Sequence, residues 1–178
     1  MNRNITYLFL LLLIACSTTK QINNDISTFQ LKQIIVKDIS KIEKLNKGAE
    51  RFSDVPTSQG YFPDLNNYKF SQPKFYNRKK GNLLTEVSYY YSEKDSVVRL
   101  ISYAWDELNS SDSIRNIYNE NEKIFTEFFK KKGNEKKIRE TSFWEDELRW
   151  ENKDIHVFQF ILGNKKGAQR TRTIICWK

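Results

Sequence analysis

"TSFWEDELRWENKDIHVFQFILGNKKGAQRTRTIICWK", residues 141–178, decides how this chain folds. It contains three runs rich in aromatic and β-branched residues, "TSFWEDELRW", "IHVFQFIL" and "AQRTRTIICW", separated by the polar stretches "ENKD" and "GNKKG". Such runs suit the pleated surface of a strand, and short polar stretches with Asn and Gly suit hairpin turns. Consecutive strands joined this closely must be antiparallel, because a parallel return needs a crossover of about a dozen residues or more.

The same signature occurs upstream. "TEVSYYY", the turn "SEKD" and "SVVRLISYAW", residues 85–105, predict a second antiparallel hairpin. Strict alternation would place Val97, Ile101, Tyr103 and Trp105 on one face together with Arg99.

Between the two strand regions, residues 110–112 offer N-cap side chains to a helix striped by Ile114, Ile117, Tyr118, Phe125, Phe128 and Phe129. Gly133, after Lys130, Lys131 and Lys132, is its expected C-terminal cap, with the lysines complementing the helix dipole. Residues 26–47 carry Leu31, Ile34, Ile35, Ile42 and Leu45 at the spacing of one helical face. This predicts a helix lying on the fold or on a membrane surface and ended by Gly48.

Residues 51–81 contain all three prolines, Pro56, Pro63 and Pro73, and read as loop with a short strand near 68–70. Their aromatics, Phe52, Tyr61, Phe62, Tyr68, Phe70, Phe75 and Tyr76, are too many for a solvated linker and are expected on the core or on a binding surface. The order predicts an α+β domain: an antiparallel sheet of about five or six strands with two helices on one face. Trp105 and Trp177 each close a hairpin that follows a helix, which suggests an internal duplication of an α-then-β unit.

The amino terminus reads differently. Arg3 precedes an apolar run over residues 5–14, interrupted only by Thr6 and Tyr7. A membrane-spanning helix needs roughly 20 apolar residues, whereas an export signal needs about 7–15. Leu13, Ile14, Ala15 and Cys16 resemble the lipobox of bacterial lipoprotein signal peptides. The resemblance implies cleavage before Cys16 and a diacylglyceryl group on its thiol. Residues 1–15 would then be the signal peptide, residues 16–25 the lipidated cysteine and a polar tether, and residues 26–178 a single domain. Such a protein is membrane-anchored rather than spanning, and the periplasm-facing side of the cell envelope is its expected location.

Removal of residues 1–15 leaves 163 residues, enough for one domain that buries about 70% of its unfolded surface. With Cys16 acylated only Cys176 remains, so no internal disulfide can form. The strand alternation around Cys176 predicts a small buried hydrophobe. The formal charge of +8 falls to +7 without Arg3. Export argues against nucleic acid as a partner and leaves anionic headgroups, cell-wall polymers and acidic proteins.

Residue types argue against catalysis. The single histidine, His156, alternates with Phe158 and Phe160 and is expected beside the core. No GxSxG elbow, glycine-rich phosphate loop, HExxH or paired CxxC is present. No cofactor or metal is expected. Glu145, Asp146 and Glu147 are the only acidic cluster that could imitate a glycosidase pair or a calcium site. On a strand, however, Asp146 points away from Glu145, Glu147 and Arg149.

The basic tips "RKKG", "KKKG" and "NKKG" each place lysines before a turn glycine. Strand directions predict one basic rim of Lys130, Lys131, Lys132, Lys136, Lys137, Lys165 and Lys166, with the first tip at the opposite end. Such a rim would meet an anionic polymer or an acidic envelope protein. The expected function is that of a non-catalytic binding or accessory protein of the envelope. An immunity-type lipoprotein that neutralises a periplasmic toxin is the alternative, and a cell-wall or lipid hydrolase the more distant one.

Overall fold

The computed structural model describes residues 29–52, 65, 67–80, 83–107, 112–167 and 169–178. The elements run α1 (Val36–Leu45), β1 (Ala49–Arg51), β2 (Lys74–Lys80), β3 (Leu83–Tyr91), β4 (Val98–Glu107), α2 (Asp112–Phe129), β5 (Asn134–Arg139), β6 (Phe143–Glu151), β7 (Ile155–Asn164) and β8 (Gln169–Trp177). The class is α+β. The sheet has eight strands rather than five or six, all neighbours antiparallel, in the order β1-β2-β3-β4-β8-β7-β6-β5. Two meanders, each following a helix, join through their last strands, β4 and β8.

The strands absent from the sequence expectation lie at or near the edges. β1 has three residues, "AER", and β5 reads "NEKKIR" with only Ile138 apolar. Charge on an edge strand discourages pairing with another chain, but it also erases the alternation by which a strand is recognised. β2, "KFYNRKK", follows directly on the Pro-containing stretch. The expected strand at 68–70 reduces to a single bridge between Phe70 and Ser92.

The first helix is shorter than its periodicity implied. Ile34 and Ile35 are extended: Val98 donates to the Ile34 carbonyl at 2.9 Å, Val36 donates to that of Ser96 at 2.9 Å, and Ile35 bridges Val97. The β-branched run at 34–36 favours this pairing over helix. Among the apolar residues of α1, Ile39 is the fully buried one, whereas Leu45, assigned to the buried stripe by spacing, is exposed. The turns after both helices place lysines, Lys47 and Lys130, in the left-handed region at φ 54°, so neither Gly48 nor Gly133 is the left-handed residue. Gly48 is required for another reason: a Cβ there would lie 2.0 Å from Glu43 Oε2.

Both helices cover one face of the sheet. Ile39, Ile114, Ile117, Tyr118 and Phe125 pack there with Val87, Tyr89, Ile101, Tyr103, Trp105, Trp150, Val157, Ile161 and Ile175. Phe29 is inserted edge-on against Tyr103, with ring centroids 4.7 Å apart. On the second face Tyr90, Leu100, Phe158, Phe160, Ile174 and Cys176 form another cluster with Leu65, Tyr68 and Phe70. Those three residues answer part of the question posed by the aromatic loop: they are core. Phe75 and Tyr76 are also buried, but Phe52 is 78% exposed. Tyr61 and Phe62 lie outside the described residues.

Among the described residues no helix is long and apolar enough to cross a membrane. Cys16 and the whole lipobox lie outside the described residues.

Candidate functional site

Strand register sets the second face in rows. One row crosses all eight strands: Ala49, Asn77, Glu86, Ala104, Arg172, Phe160, Glu147 and Lys136. On one side of it run Asp106, Arg170, Leu162 and Glu145, and on the other Ser88, Ser102, Ile174, Phe158 and Arg149. The helix face is mostly apolar, with the buried polar side chains of Gln159, Thr171 and Thr173 at its centre, whereas this face alternates charge with aromatic and aliphatic groups.

The acidic residues of β6 separate by side. Glu147 and Glu145 stand on the second face; Asp146 turns toward the helices, pairs with Arg139 and lies 3.9 Å from Arg115 Nη1. Glu147 lies 3.7 Å from Lys136 Nζ and 3.8 Å from Arg149 Nη2. Arg149 in turn covers the ring of Phe158, 4.2 Å from its centroid. Partial burial, and then the charge of Glu147, raise the carboxyl pKa of Glu145 above its ordinary value. His156 Nε2 lies 3.0 Å from Glu151 Oε2 at the far end of this face. Cys176 is buried between Leu100 and His156 in register. Among the described residues no group of three His, Cys, Asp or Glu side chains gathers to hold a metal ion.

Arg99 belongs to this face, not to that of Ile101 and Tyr103. An irregularity where β3 meets β4 pairs Tyr91 with Val98 but Tyr90 with Leu100. The extra residue breaks the alternation, and the Arg99 guanidinium lies 4.6 Å from the ring centroid of Tyr68.

The expected basic rim does not form. Asn134 of β5 pairs with Arg149 and Phe143 of β6 pairs with Asn164. Lys130, Lys131 and Lys132, just before Asn134, therefore sit at the end of the sheet where β6 finishes, and Lys165 and Lys166 at the end where it begins. Lys79 and Lys80 fall at the Lys165 end, because Lys80 pairs with Leu83, Glu86 with Ala104 and Glu107 with Gln169. Lys136 and Lys137 lie along the edge between the ends, with Lys136 toward Glu147 and Lys137 2.7 Å from Glu135. The sequence expectation reversed the ends because β5 was absent from it, and one omitted strand inverts the direction of those counted across it.

Arg172 is the residue that sequence reasoning missed. Every other described arginine lies within ion-pair distance of a carboxylate: Arg51 of Glu86, Arg78 of Glu43, Arg99 of Asp95, Arg115 and Arg139 of Asp146, Arg149 of Glu147, and Arg170 of Asp106. Arg172 has no such partner among the described residues, and its Nε is shut off from solvent without an acceptor. Its signal was present in "TRTIICW", where the residue stands between Thr171 and Thr173 just before the apolar run Ile174 to Trp177.

The fold and this face define an α+β protein with one sheet face sealed by helices and the other chemically mixed. The chain matches no protein-family model, no curated protein and no solved structure.

Proposed function

We propose that this chain is a lipid-anchored, periplasm-facing protein of the bacterial cell envelope that acts by binding, with the second face of the sheet as its recognition surface. The anchor rests on Leu13, Ile14, Ala15 and Cys16, whose order after Arg3 and an apolar run matches a lipobox. Twelve residues separate Cys16 from Phe29, and fully extended they would reach at most ~45 Å. A domain on such a tether can meet partners at the membrane surface.

The observation that carries the binding reading is the composition of the second face, where Glu145, Glu147, Arg149, Arg170 and Arg172 stand among Phe158, Phe160 and Leu162. Phe158 and Phe160 are buried, Arg149 and Arg170 are exposed and Glu145, Leu162 and Arg172 are half-buried, so this face offers a partner fixed charges above a packed apolar layer, and complementary charge gives specificity. The recurrence of a helix followed by four strands supports reading the domain as a duplicated unit.

Metabolic labelling with palmitate tests the anchor. The native chain should carry the label and sediment with membranes, and Cys16→Ser should do neither. Label retained by the variant, or a native chain that is unlabelled, contradicts the reading.

A further inference from the structure

Arg172 occupies a position where a cation is costly to leave unpaired. It lies on a central strand between Ala104 of β4 and Phe160 of β7, neither of which offers a side-chain acceptor, and both of these neighbours are buried. The carboxylates in its own row, Glu86 and Glu147, are two strands away on either side, about 10 Å at the spacing of strands. Both are already engaged, Glu86 by Arg51 at 3.3 Å and Glu147 by Lys136 and Arg149 at 3.7 and 3.8 Å. Asp106, in the adjoining row, receives two hydrogen bonds from Arg170, at 2.6 and 3.1 Å. The Nε of Arg172 is left without an acceptor.

We propose that Arg172 anchors a carboxylate of the molecule recognised by this face, its two terminal nitrogens donating to the carboxylate oxygens, since Nε is shut off from solvent. The inference rests on the reading of the second face as the recognition surface. A guanidinium matches carboxylate geometry, and a charge-assisted bond of this kind is stronger than one between neutral groups. The group is a monoanion. Arg172 supplies a single positive charge beside Glu86, Asp106, Glu145 and Glu147, and those carboxylates oppose a phosphate monoester carrying about −1.5 to −2.

The test uses the full chain in detergent micelles, labelled with nitrogen-15, with the arginine Nε–Hε resonances followed by NMR. Benzoate is the probe, benzamide its neutral counterpart and inorganic phosphate the second anion. One Nε–Hε resonance should shift and saturate with benzoate, be absent in Arg172→Met, stay still with benzamide, and respond at least tenfold more weakly to phosphate. Arg172→Met keeps an apolar stem at the position in register with Ala104 and Phe160, so the loss reports the charge rather than the packing. No saturable shift, an equal response to benzamide, or a phosphate response as strong as that to benzoate overturns the assignment. Photo-crosslinking from Glu145 and Leu162 separates the two claims. If crosslinks form while benzoate fails, only the role of Arg172 falls; if both fail, the recognition face falls with it.

Discussion

The carboxylate of Glu43 on α1 and the guanidinium of Arg78 on β2 meet as a two-pronged pair inside the protein. Nε lies 3.0 Å from Oε2 and Nη2 lies 2.6 Å from Oε1, and the two side chains are 3% and 1% exposed for Arg78 and Glu43. Tyr89 donates its hydroxyl to Glu43 and accepts from Arg78 Nη2 at 3.2 Å, while the Tyr103 ring centroid lies 5.6 Å from the guanidinium. Burial, which alone would lower the Arg78 pKa, is outweighed by the bonds and charge of Glu43, so the value rises. With one apolar residue of α1 fully buried, this pair fastens the helix to the sheet.

Arg78→Met should therefore destabilise the fold by about 3–5 kcal/mol, because it leaves Glu43 buried without a counter-charge. Adding Glu43→Met should recover most of that loss. Denaturant unfolding of the wild type, the single variant and the double variant measures it; a double variant no more stable than the single one would contradict a buried pair.

Gly48→Ala acts on the same carboxylate from the other side. The new methyl group would stand 2.0 Å from Glu43 Oε2, and moving Glu43 away breaks its bonds to Arg78. A loss of roughly 1–3 kcal/mol is expected. In an Arg78→Met background the same substitution should cost less, since the pair it disturbs is already gone. Equal cost in both backgrounds speaks against this coupling.

The first half of this arrangement was hidden from the sequence for a physical reason. A glutamate and an arginine 35 residues apart each look like ordinary solvated side chains, and only the fold shows that they share a buried site. Strands with strong alternation, β3, β4, β6, β7 and β8, were legible because one or both faces are buried. β1 and β5 were not, because edge strands need no apolar face, and without β5 the count put Lys130 and Lys166 at the same end of the sheet. Arg172 escaped notice for a related reason: its isolation depends on where every neighbouring carboxylate goes.

The polar interior beneath α2 gives a further expectation. Asn121 Nδ2 donates to Thr173 Oγ1 at 3.0 Å, both residues fully buried. Thr173→Val removes the acceptor and strands a buried amide donor, at a cost of about 1–3 kcal/mol. Thermal unfolding checks this, and a variant as stable as the wild type would show that the bond contributes nothing.

Glu145 gives the pH dependence. Its raised pKa means that the folded state binds its proton more tightly than the unfolded chain does. The stability this contributes is present below the ordinary carboxylate pKa and is lost as pH rises through the folded-state value. Glu145→Gln should be no more stable than the wild type near pH 4 and gain on it by pH 7. A difference in melting temperature that does not change with pH contradicts this account of Glu145.

The central claim is that the second face of the sheet meets the partner of the anchored protein. Site-specific photo-crosslinking in the native envelope tests it, with a photoreactive residue placed in turn at Glu145 and Leu162 on that face and at Asn116 and Asn119 on the outer side of α2. The account predicts one discrete adduct from Glu145 and Leu162, none from the α2 positions, and its disappearance when Cys16→Ser releases the chain. Adducts from α2 alone, or none from the sheet, would contradict it.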